Sequence, residues 1–345
     1  MLGLVAYGLV SRKLKGSILT GPLLFSIFGL IAGPAALGLI SMEVSHESLH
    51  TLAEVTLILV LFSDAASIDL VQLRRDHNLP VRMLLIGMPL SIVLGTFAAV
   101  VMFSGFGIWE AALLAAILAP TDAALGQSVV SNPVVPVRIR QALNVESGLN
   151  DGIALPFVLA FAAYAGSLDE VSDTGSWFLF AAKQIIFGSL AGVFLGYVGG
   201  KLMAWSHGSG WTSEDAEGMI SLGLAFGAFA LAESVHGNGF IAAFAGGLTF
   251  GNTLKHKCPF LFEFAESEGQ ILTLLTFAGF GAFMFPEALH MVTMNYVLFG
   301  LLVLTVLRML PTHLSLIGTG IKPVTSGFLG WFGPRGLASI LFVLL

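Results

Sequence analysis

Long apolar runs separated by short polar breaks make up the chain, and the breaks hold most of its charge. Read run by run, they predict membrane spans at about 1–11, 18–40, 51–70, 83–103, 109–131, 141–165, 177–203, 217–235, 240–253, 269–286 and 292–318, with a last one from about 325. The runs are continuous rather than alternating, which predicts helices and disfavours a β-barrel. A span needs about 20 apolar residues. The first segment falls short, and so does the stretch after the break at Gly333-Pro334-Arg335-Gly336. The pattern therefore predicts about twelve helices with the last one truncated, in a natural protein that continues.

Composition agrees. Of 345 residues, 56% are hydrophobic and 10% charged, with a mean hydropathy of +0.91. Soluble domains run near 25% charged, so this is an all-α, polytopic membrane protein with no soluble domain in this chain. The 15 Lys and Arg are too few and too scattered for a nucleic-acid surface. Cys258 is the single cysteine, which excludes an intrachain disulfide. Met1–Val10 lacks the basic start of a cleavable signal. Loops near 12, 75, 138, 201, 256 and 322 carry most of the Lys and Arg, and those between them are acidic or short. The basic set is expected in the cytoplasm, with the N-terminus outside.

Two runs are interrupted beside a charge, at Ala119-Pro120-Thr121-Asp122 and at Gly333-Pro334-Arg335-Gly336. Proline removes a backbone donor and clashes with the preceding turn. Freed backbone groups at membrane depth are tolerated only inside protein or against a cavity. The half-helix ends so created carry partial charge. Asp122 is placed to neutralise positive ends and Arg335 negative ones. Interrupted segments in corresponding positions point to a transporter site, and spans 51–131 and 269–345 are placed as an inverted repeat. Gly33-Pro34 has no polar partner and reads as a kink.

The span at 141–165 begins Asn144-Val145-Glu146-Ser147-Gly148-Leu149-Asn150-Asp151-Gly152. A charge at the bilayer centre costs about 2.5–3.5 kcal/mol on the lenient insertion scale, which makes its acids functional candidates. Glu146 and Asn150 share one face, Ser147 and Asp151 the next. Pairing Glu146 with Arg335 would neutralise two buried charges. Asp151 is then the acid for ion chemistry: a carboxyl out of water holds its proton more readily, and a proton and a small cation compete for it. Asp151, Ser147, Thr121 and freed carbonyls are hard oxygen ligands suited to Na⁺ or Li⁺. Asp64, in the span at 51–70, is a further candidate ligand. No His/Cys cluster supports zinc, and no cofactor is called for.

Pro120-Thr121-Asp122, Glu146-Ser147-Gly148-Leu149-Asn150-Asp151-Gly152 and Gly333-Pro334-Arg335-Gly336 together resemble the monovalent cation/proton antiporter-1 family, over essentially the whole chain. That family includes the bacterial NhaP-type and eukaryotic Na⁺/H⁺ exchangers. The resemblance implies a single transmembrane exchanger domain over 1–345 with the NhaA/NhaP-like fold, normally of 13 helices, two of them discontinuous and crossing. It implies a core, assigned here to about 51–165 and 269–345, against a dimerisation scaffold at about 1–50 and 177–253, in a homodimer. It implies Asp151 as the cation- and proton-binding carboxylate, with Ser147, Thr121 and Asp64 as added ligands. Asp122 falls at the helix crossing, and Asn150, Glu146 and Arg335 stabilise the core. The Asn-Asp pair is the pattern of the electroneutral branch.

The expected function is thus secondary transport, not enzymatic catalysis: exchange of Na⁺ or Li⁺, alternatively K⁺, for H⁺ across a cell membrane, expected to be a bacterial inner membrane. An intramembrane aspartyl hydrolase using Asp122 and Asp151 is a different reading, but a protease does not need Thr121, Ser147 and Asn150. A cation channel is another, and it would conduct without proton coupling.

Overall fold

Proline and glycine decide where the apolar runs become helices and where they stop. A computed structural model describes residues 2–14, 19–40, 46–75, 77–121, 134–166, 174–254, 259–333 and 335–344. Asp122 and Pro334 lie outside them. Helices α1 (Leu2–Leu14), α2 (Gly21–Ala32), α3 (His46–Ser67) and α4 (Leu70–Arg75) come first. α2 has Pro22 in its first turn, where the missing N–H costs nothing. α5 (Asn78–Arg82) and α6 (Met88–Met102) form one rod through a π-helical turn at Met83–Gly87. Pro89 follows that turn and cannot donate, so the ladder widens to a Met88 N–H to Met83 carbonyl bond.

α7 (Ile108–Ile117) is closed at its start by Glu110, whose Oε2 accepts from the Gly107 N–H at 2.8 Å. α8 (Val137–Gly166) returns beside it, and Trp109 stacks on Tyr164 with centroids 4.6 Å apart, which makes the pair antiparallel. Then come α9 (Thr174–Gly208), α10 (Glu214–Ser234) and α11 (Gly239–Thr253). The Asn238 side chain caps α11 by accepting from the Phe240 and Ile241 N–H groups. α12 (Pro259–Gly279) runs through a second π-turn at Phe280–Met284 into α13 (Phe285–Met291), again just before a proline, Pro286. α14 (Met294–Leu304) and α15 (Val306–Ser315) are one apolar run broken at Thr305. α16 (Pro323–Trp331) and α17 (Leu337–Leu344) flank the last break.

The fold is all-helical, with no strand among the described residues. Seven described helices are long and apolar enough to cross a bilayer. The predicted spans at 18–40, 109–131 and from 325 give shorter described helices, because Gly33, Pro120 and the 332–336 stretch interrupt them. Large apolar side chains such as Phe97, Phe194 and Leu190 are exposed on the outer faces, as lipid contact requires.

The packing regroups the chain. α11 lies between α9 and α3, backbone against backbone. A Cβ on Gly192 of α9 would stand 2.2 Å from the Ala242 carbonyl oxygen, and one on Gly247 would stand 2.1 Å from that of Phe62. Small residues allow this approach where lipid gives no hydrophobic drive between helices. α3 also meets α12, where the hydroxyls of Thr56 and Thr276 bond at 3.2 Å in a buried setting. α12 packs in turn on α2 and α10. The sequence grouping that joins 51–70 and 269–286 to the core cuts through these contacts. The other cluster is α5–α8 with α14–α17, which α3, α9 and α11 touch chiefly through α8 and α17.

A candidate ion site where two helix breaks meet

α7 unwinds after Ile117, and the chain leaves the helix through Ala119, Pro120 and Thr121, all buried. The break frees carbonyls, and each finds a donor from another segment. The Ile117 carbonyl accepts from Ser339 Oγ on α17 at 2.7 Å. Arg335 sits in the second break; its Nη1 donates to the Ala119 carbonyl and, at 3.2 Å, to that of Pro120. The Thr121 carbonyl accepts twice, from Ser147 Oγ and from Asn150 Nδ2, both at 2.8 Å. Asn150 Nδ2 also lies 2.7 Å from Thr121 Oγ1. The two interrupted helices therefore meet, as the family resemblance implies, and α8 lies against the meeting point.

Gly333 shows how tight the meeting is. A Cβ there would stand 2.7 Å from Arg308 Nε and 3.0 Å from the Thr121 methyl. The second break passes between these side chains only as bare backbone.

The charge pairing differs from the expected one. Glu146 pairs with Arg308 of α15, Oε1 to Nη2, at 2.5 Å, both side chains 3% exposed. Arg335 is given over to carbonyls, the third being Val303 at 3.2 Å from Nη2. The reason is the break at Thr305 (φ −116°, ψ −91°). It leaves the Val303 carbonyl to accept from Arg335 and starts α15 so that Arg308 faces α8. A guanidinium with several donors in a fixed fork suits a set of carbonyls better than one carboxylate. Arg308 was legible in the sequence as a lone cation in the run 292–318, by the same rule that singles out the acids. Ser339 and Gly333 were not, since Ser and Gly are ordinary in such helices.

Thr121, Glu146, Ser147 and Asn150 are buried, and Asp151, one turn on from Ser147, is partly buried. Asn150 keeps its Oδ1 buried with no hydrogen-bond partner among the described residues. Asp64 belongs to α3, and its side chain is exposed. The expected Asp122 contribution lies outside the described residues. What the geometry brings together is a hydroxyl, freed carbonyls and a side-chain amide around Thr121, beside a carboxyl. Oxygens of these kinds are hard ligands, and the carbonyls among them are met by side-chain donors of Ser147, Asn150, Arg335 and Ser339. Among the described residues no group of three or more His, Cys, Asp or Glu is placed to hold a metal ion.

The model of the family described as sodium/hydrogen exchanger, transmembrane, matches residues 1–345. The chain is 32% identical over 218 residues to Na(+)/H(+) antiporter 2 of Zygosaccharomyces rouxii, covering 59% of this chain and 26% of that one. It is 23% identical over 349 residues to the K(+)/H(+) antiporter NhaP of Alkalimonas amylolytica, covering 97% of this chain and 57% of that one. The chain thus spans only part of the length of these relatives. Among solved structures it superposes on the sodium proton antiporter MjNhaP1 of Methanocaldococcus jannaschii with a TM-score of 0.83. That match has 20% identity and covers 99% of this chain and 83% of the other.

Proposed function

The chain belongs to the sodium/hydrogen exchanger family, and on that premise we propose that it is a secondary active antiporter exchanging Na⁺ or Li⁺ for H⁺ by alternating access. Asp151 is the shared carboxylate. In one state it holds the cation, with Ser147 and Thr121 adding oxygens; in the other it holds a proton. Because each form excludes the other, the loaded protein moves either ion but not both, and that exclusion is the coupling.

The observation that carries this reading is the contact of the two helix breaks around Thr121, one helical turn from Asp151. Such unwound backbone is tolerated in a membrane only inside protein or against a cavity, and a pair of interrupted helices is where transporter sites are built. Glu146 is tied to Arg308 beside it, so the charge of α8 that takes part in exchange is assigned to Asp151. One cation per proton is the proposed stoichiometry. The protein is proposed to sit in a cell membrane, as a homodimer, with basic loops inside and the N-terminus outside. The moving part is proposed to be α5–α8 with α14–α17, and the scaffold α1–α3 with α9–α13, following the packing described above.

The test is a proteoliposome assay of internal pH on adding Na⁺, Li⁺ and K⁺ in turn, with the membrane potential clamped and free. The expected result is Na⁺- and Li⁺-driven proton efflux that the clamp does not change. A response to K⁺ alone favours the second reading, K⁺/H⁺ exchange, which the Alkalimonas relative supports. Cation flux without proton movement would indicate a channel.

A further inference from the structure

α8 carries a second feature beside Asp151 that the exchange site does not use. Its face toward α3 and α11 bears glycine at 148 and 152, one turn apart. A Cβ on Gly148 would lie 3.4 Å from the Ile68 Cδ1, an ordinary contact. Gly152, the neighbour of Asp151, is different. A Cβ there would lie 2.4 Å, 2.5 Å and 2.5 Å from Cδ2, Cε2 and Cγ of Phe244. The Phe244 ring is thus seated on the bare α-carbon of Gly152.

Flipping the ring in place would not clear the crowding. Rotation about its own axis leaves Cγ in place, and Cγ is one of the crowded atoms. Its partly buried body packs against the main core cluster and against the smaller group of Ile68, Leu84 and Leu149. Its helix, α11, is held to α9 and α3 through close backbone contacts at Gly192 and Gly247. Phe244 is therefore an apolar stop on one side of the interface, and Gly152 is the notch that receives it.

We propose that Phe244 is a gate residue that reports and sets which side of the membrane Asp151 faces. With the ring in the Gly152 notch, the passage on the C-terminal side of Asp151 along α8 is closed by apolar surface. Opening it requires α8 to move along its axis and carry Gly152 off the ring. Residues on either side of Gly152 in its row, Gly148 and Pro156, give the ring a shallow track rather than a ridge of branched side chains. Under the proposed orientation the closed side is the outer one. The gate rests on the antiporter reading, and its test separates the two.

The probe is an Asp151→Cys variant in a Cys258→Ser background, labelled by a membrane-impermeant thiol reagent applied from one side at a time. Exchange is measured in parallel with Asp151 intact. Overpacking the notch by Gly152→Ala disfavours the seated state, so labelling from the outer side is expected to rise by about tenfold. Phe244→Ala is expected to raise it too, and Gly152→Ala with Phe244→Ala should restore the exchange that Gly152→Ala alone loses. Thermal melting of each variant separates a shifted equilibrium from a failure to fold. Unchanged sidedness in a folded Gly152→Ala protein, or no rescue by Phe244→Ala, would overturn the gate while leaving the exchanger standing. Absence of exchange in the unmodified protein would instead overturn the antiporter reading.

Discussion

Arg308, Glu146 and Arg335 divide the work of keeping charge inside the membrane. Removing one partner of a buried ion pair leaves the other uncompensated, at a cost of about 3–5 kcal/mol. Arg308→Ala is therefore expected to lower thermal stability sharply, and Glu146→Gln should recover part of that loss in the double variant. Additive melting shifts in such a cycle would contradict a direct pair. Arg335→Lys is expected to behave differently. It keeps the charge but loses the fork that reaches the carbonyls of Ala119, Pro120 and Val303. Its stability should fall while the Glu146–Arg308 coupling persists. At this scale the sequence reading singles out Glu146, Asp151 and Arg335, because a charge in an apolar run asks for a partner, but it does not single out Arg308. The choice of partner was not legible. Glu146 and Arg335 were the acid and base nearest the motifs, whereas Arg308 is brought in by a helix break at Thr305 that no proline or glycine marks.

Helices in this molecule are legible in the sequence in their apolar length but not in their company. The spans at 51–70 and 269–286 look like their neighbours in composition, so nothing in the pattern separates core from scaffold. Their packing is set by small residues that let backbones touch. Gly247→Ala would drive a Cβ to 2.1 Å from the Phe62 carbonyl and is expected to destabilise by about 1–3 kcal/mol. Gly223→Ala, at an exposed helical position where nothing lies within 4 Å, is expected to be neutral or to stabilise by up to about 1 kcal/mol. Melting temperatures of the two variants in the same detergent compare them, and equal losses would remove the distinction. The interrupted helices were more legible, since proline beside charge inside an apolar run has few structural outcomes. That they meet through Arg335 and Ser339 needed the fold.

For the whole molecule, competition at one carboxyl has a kinetic consequence. Protons and cations that exclude each other should act as competitive partners. Lowering the pH on the side where the cation binds is expected to raise its apparent KM with the maximal rate little changed. A fall in maximal rate at constant KM would point to a separate protonation site. The central claim is narrower: Asp151 carries both ions. It is tested most directly by cation-driven proton flux in proteoliposomes holding either the unmodified protein or a folded Asp151→Asn variant. The account predicts Na⁺-driven flux in the first and none in the second at any pH tried, whereas undiminished flux in Asp151→Asn would contradict it.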